Sequence, residues 1–211
     1  VTVEFSHSNV EEALADASSV LLLAPSLFDA ENDVCIDLLR PGDAAEENVL
    51  WVSYTRSPDA QLRRWRARAG APPANLGVVS VGETVRSTGA VAGETRADAR
   101  RGAPGPIEAV ANPNDLTGLG IAINEYLHGW EHNGNRTVVC FDSLTAMLQY
   151  VELETAYEFL HILAGRLYAA DAVAHFHMDP GAHDTRAVES VASLCDAVVD
   201  LREDGVSVRH R

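Results

Sequence analysis

Apolar residues follow two patterns along this chain, and the patterns alternate. Short, largely apolar runs occur at Ser19 to Leu23, Val49 to Tyr54, Leu76 to Val81, Thr137 to Phe141, Ala172 to Met178 and Ala197 to Leu201. Apolar on consecutive positions, they predict strands buried on both faces of a parallel sheet. Between them apolar positions recur at helical spacing. Leu116, Leu119, Ile123, Tyr126, Leu127 and Trp130 form one such stripe; Ala156, Phe159, Leu160, Leu163 and Leu167 form another. Ser57-Pro58 predicts the start of a helix ending at Gly70, and Asn114 the cap of the helix carrying Leu116. Glu31 to Leu39 and Thr185 to Leu194 are read as further helices, and Ser8-Asn9-Val10-Glu11 has capping-box spacing. Glu83 to Pro106 loses periodicity and reads as a long loop. A turn at Asp204-Gly205 before Val206 to Arg209 predicts an antiparallel edge hairpin. Strands alternating with helices predict a three-layer α/β fold with a mainly parallel central sheet, residues 1–211 forming one domain.

Charge changes this picture more than composition does. The formal net charge is −15, and all 16 basic residues are Arg. An acidic, lysine-free chain is similar in composition to proteins of salt-loving archaea, which implies a surface kept hydrated in concentrated salt. It argues against general nucleic-acid binding, which needs a cationic face. Arg63, Arg64, Arg66 and Arg68 read as a helix face that pairs with carboxylates, and Arg86, Arg96, Arg100 and Arg101 make 83–106 locally basic, a place for an acidic partner to dock. Cys35, Cys140 and Cys195 are far apart in apolar surroundings and read as core residues of a reducing cytoplasm. The expected location is therefore cytoplasmic, and no run is long enough to span a bilayer.

The chemistry centres on Val138-Val139-Cys140-Phe141-Asp142-Ser143-Leu144, a strand ending in an acid. Open α/β sheets bind ligands at such strand tips. The alternative role for the acid is to cap the following helix. VVCFDSL is similar to the Walker B strand of RecA/KaiC-like P-loop ATPases, and the order of elements from Ser19 to Arg209 resembles their core. The resemblance implies a RecA-like fold, side-by-side assembly, and nucleotide positions at Asp142 and Ser143. It also identifies the phosphate loop as Ala24-Pro25-Ser26-Leu27-Phe28-Asp29-Ala30-Glu31, which departs from the required pattern. Ala24 and Asp29 replace glycines, Ala30 replaces the phosphate-binding Lys, and Glu31 replaces the Mg²⁺-binding hydroxyl. Unit charges about 4 Å apart at an effective dielectric of about 20 repel by about 4 kcal/mol, so Asp29 and Glu31 oppose phosphate. KaiC-like enzymes carry acids after the second strand; this chain has Tyr54-Thr55-Arg56.

A second cluster is His175-Phe176-His177-Met178-Asp179 followed by His183. His175 and His177 share one face of a strand, so with Asp179 and His183 they are the candidate zinc ligands. H-x-H-x-D is similar to the metallo-β-lactamase motif, but Pro180 stands at its sixth position and nothing else in the chain resembles that family. The expectation is therefore no resident metal and no nucleotide or Mg²⁺ cofactor. The function expected is a non-catalytic, degenerate KaiC-like domain that binds a protein partner, a paralogous ATPase or its own copies. The alternatives are a KaiC-like enzyme that binds or hydrolyses ATP through an unorthodox loop, and a metal-dependent hydrolase using His175 and His177.

Overall fold

The computed structural model describes residues 14, 17–25, 34–37, 43–82, 107–202 and 205–210. The strands are β1 (Ser19–Leu23), β2 (Glu47–Ser53), β3 (Asn75–Val81), β4 (Ile107–Val110), β5 (Arg136–Asp142), β6 (Ala172–Met178), β7 (Ala197–Arg202) and β8 (Gly205–His210). They form one eight-stranded sheet in the order β4-β3-β2-β5-β6-β1-β7-β8. Every pairing is parallel except β7 with β8, the antiparallel hairpin expected at the C-terminal end. The helices are α1 (Pro58–Ala69), α2 (Leu116–Trp130), α3 (Leu144–Met147), α4 (Leu153–Ala169) and α5 (Thr185–Ala192), and residues 34–37 are also helical. Among the described residues, no helix is long and apolar enough to cross a membrane.

Unbroken apolar strands arise because both faces of this sheet are covered. On one face Leu21, Leu50, Val52, Val139, Phe141 and Phe176 pack with the stripes of α2, α4 and α5. On the other, Trp51, Val78 and Val138 pack with Trp65 of α1 and with Ile36. A separate cluster on that second face joins Val20, Leu22 and Val199 to Val34. The gap between these two clusters is where β6 presents His175 and His177. Gly77 is required by close approach: a Cβ there would stand 2.5 Å from the ring of Tyr126.

Ile107–Val110, to which the apolar pattern assigns no element, is a strand held at the sheet edge by its parallel pairing with β3. Two local expectations are corrected. The cap of α2 is Asp115, whose carboxylate accepts from the Gly118 N–H, and not Asn114. The cap after β5 is Ser143, whose hydroxyl accepts from the Ala146 N–H, so Asp142 is not the capping residue. The N-terminal capping box, the phosphate-loop positions Asp29, Ala30 and Glu31, and the 83–106 segment lie outside the described residues.

Candidate functional site: an occupied acid and a buried Cys-His cluster

Two polar groupings lie on the α1 face of the sheet. The first is at the tip of β5. Asp142 is 5% exposed, and its carboxylate is held by the chain that follows β2. Register explains the meeting: Ser53 at the end of β2 is the partner of Asp142, and the Tyr54 N–H donates to the Asp142 carbonyl at 2.7 Å. The Ser53 hydroxyl and the Arg56 backbone then exchange hydrogen bonds, which fixes the turn. That turn brings Arg56 Nη1 to 3.5 Å from Asp142 Oδ2. Gln61 Nε2 of α1 donates to the same oxygen at 3.4 Å, and Arg64 Nη1 donates to Gln61 Oε1 at 2.8 Å. The acid at the strand tip is therefore matched by the protein's own cation. Ser143 serves the backbone of α3, and Ala24, the first phosphate-loop position, is buried in the core after β1.

The second grouping is deeper. Cys140 precedes Asp142 by two residues and shares its face of β5; its partner across the ladder is His175 of β6. His177 follows on the same face, and Cys35 descends onto both strands from the helical residues 34–37. The Cys35 and Cys140 sulfurs are 3.4 Å apart. Cys140 Sγ is 3.5 Å from His177 Nε2, and Cys35 Sγ is 3.5 Å from His175 Nε2. All four ligating atoms lie within 4.8 Å of one another, and all four side chains are buried. The hydrogen bond from Cys140 holds the Cys35 thiol well below its ordinary pKa against the effect of burial, with the two imidazoles assisting. Burial, then the neighbouring Cys35, pushes the Cys140 thiol well above its ordinary value. Burial lowers His175, keeping its ring neutral. The arrangement offers two cysteine sulfurs and two imidazole nitrogens, a donor set suited to a soft or borderline metal ion.

The sequence-predicted quartet of His175, His177, Asp179 and His183 is divided. Asp179 caps the 3-10 turn Pro180–Ala182 by accepting from the Gly181 N–H, and His183 Nε2 contacts Thr145 Oγ1 at 3.2 Å. The cysteines take their places beside the histidine pair. Cys195 lies apart from the cluster, in the core under α5.

The fold is similar to that of the protein PH0250 from Pyrococcus horikoshii OT3, at a TM-score of 0.60 and 9% identity, covering 98% of this chain and 92% of that one. It is also similar to the uncharacterized protein PH0321 from Pyrococcus horikoshii, whose crystal structure is a complex with an unknown peptide; the TM-score is 0.60 and identity 14%, covering 94% of this chain and 86% of that one. At these identities the likeness is one of fold. No curated protein matches the chain. The model of the family of unknown function DUF7504 matches residues 17–201, which include all four clustered residues, and the chain belongs to that family.

Proposed function

We propose that this protein is a non-catalytic RecA/KaiC-like domain that works in the cytoplasm by binding protein. The observation that carries the reading is the pairing of Asp142 with Arg56 and Gln61. In the ATPases it resembles, the acid at this strand tip holds the water shell of Mg²⁺. Here a guanidinium takes that charge, supplied from the position after the second strand where KaiC-like enzymes place an acid. Titration with Mg-ATP in molar KCl should give no saturable heat, and no phosphate should be released. Asp142→Ala should cost about 1–2 kcal/mol of stability, because a charged hydrogen bond is lost from a partly exposed pair. Micromolar ATP binding, or turnover abolished by Asp142→Ala, would overturn the reading in favour of an ATP-hydrolysing enzyme.

Two features support protein binding. PH0321, of similar fold, is known as a peptide complex. In this chain an apolar groove of about 360 Å³ runs between α2 and α4, where Ile121 and Ile162 are 56% and 59% exposed. Large apolar side chains paired across an open groove mark an interaction surface, and its occupant here is an apolar peptide segment of a protein partner. Peptides selected from a random display library in molar KCl should be apolar. Their affinity should fall about tenfold or more for Ile162→Glu, as for loss of an interface anchor. Equal affinity for the variant would remove the groove from the proposal.

A further inference from the structure

We propose that Cys35, Cys140, His175 and His177 bind one zinc ion as a closed structural centre that ties the helical residues 34–37 to the middle of the sheet. Zn–S bonds of about 2.3 Å and Zn–N bonds of about 2.0–2.1 Å in a tetrahedron place two sulfurs about 3.8 Å apart and a sulfur and nitrogen about 3.5 Å apart. The separations in the structure are 3.4 Å for the sulfurs and 3.5 Å for both sulfur–nitrogen pairs. No pair exceeds 4.8 Å, so small side-chain rotations complete the shell.

The chemistry of the surroundings selects the same ion. Two thiolates and two neutral imidazoles around a dication make a centre with no net charge, the form an apolar layer tolerates. That layer is apolar on both sides: Trp51 and Val138 lie toward β2, and Val20 and Leu22 on β1. Four donors from the protein leave no position for substrate or activated water, and burial of every ligand closes the approach. The centre is therefore structural, which separates it from the hydrolase alternative. A two-iron cluster with this ligand set would put the cysteines on one iron and the histidines on the other. Sulfur–nitrogen distances would then exceed the sulfur–sulfur distance, whereas here they are nearly equal. Zinc also joins Cys35 to Cys140 across 105 residues, and cross-links over long loops constrain the unfolded chain most.

The test is elemental analysis of untagged protein produced with zinc supplied and thiols kept reduced. The expected content is about one zinc per chain, falling below about a tenth in Cys140→Ser and His177→Ala and unchanged in His183→Ala, which lies outside the cluster. Because a ligand variant that misfolds also loses metal, cobalt substitution of the unaltered protein supplies an independent readout: sulfur-to-cobalt charge transfer with intense tetrahedral ligand-field bands. Chelation should lower the melting temperature of the unaltered chain and leave that of His177→Ala unmoved. The assignment is overturned by a folded, reduced protein that takes up less than about a tenth of an equivalent of zinc, by stoichiometric iron in its place, or by an octahedral cobalt spectrum. Equal metal loss in His183→Ala, or a mass two hydrogens short that shows a Cys35–Cys140 disulfide under reducing conditions, would overturn it equally.

Discussion

Phe141→Ala should lower the melting temperature by about 6–20 °C, from a loss of about 3–5 kcal/mol at about 2–4 °C per kcal/mol for a chain of this size. Phe141 is fully buried. Its ring lies 5.8 Å from Tyr54 and 5.9 Å from Phe176, so truncation opens a cavity between two aromatic rings that cannot readily collapse. Phe141→Leu, which keeps most of the volume, should cost less than half as much. Thermal melts in molar KCl followed by circular dichroism measure both. Phe141 faces the α2 layer while Cys140 and Asp142 face α1, so the alanine variant should keep the metal content of the parent. A shift below about 2 °C would show that this face of β5 is not closely packed.

The melting temperature should also rise by on the order of 10 °C between about 0.1 M and about 2 M KCl, as the screening length shrinks from about 10 Å to below about 3 Å. The cause is self-repulsion of a chain carrying −15. Local pairing does not cancel it: Arg68 is matched with Asp37, Arg186 with Glu154, Arg202 with Asp200 and Arg209 with Glu189, and the remaining carboxylates outnumber the arginines. These surface pairs contribute little individually and weaken in salt, so they work against the predicted trend and make it a stringent one. Equal melting temperatures at both concentrations would dismiss the halophilic reading of the composition.

The central strands were legible because each carries its own burial signal. Ser19–Leu23 is an apolar run between breaks and Ala172–Met178 is one interrupted by its two histidines, and a strand covered on both faces needs no information from its neighbours to be recognised. Ile107–Val110 was not legible: Ile107 is exposed, and the segment is a strand because β3 offers it a free ladder edge. The one-residue error at the start of α2 has a similar origin, since Asn114 and Asp115 are both good caps and backbone geometry selects between them.

The site divides in the same way. Alternation along a strand was enough to place His175 and His177 on one face, and a terminal acid was enough to mark Asp142 as the tip of its strand. Their partners depend on the order of strands. Arg56 reaches Asp142 because β2 pairs with β5 at Ser53 and Asp142, a register that two distant apolar runs do not announce. Cys35 and Cys140 each have the apolar neighbours of an ordinary core cysteine, and 105 residues separate them. Placing β6 beside β5, and the helix after β1 across both, turns two inert-looking thiols and a histidine pair into one cluster. Asp179 and His183, closer in sequence, lie past the end of β6, where Asp179 caps the turn after the strand and His183 meets Thr145. Backbone periodicity is a local property and could be read from chain order; convergence of side chains from separate segments is set by sheet order and register, and arises on folding.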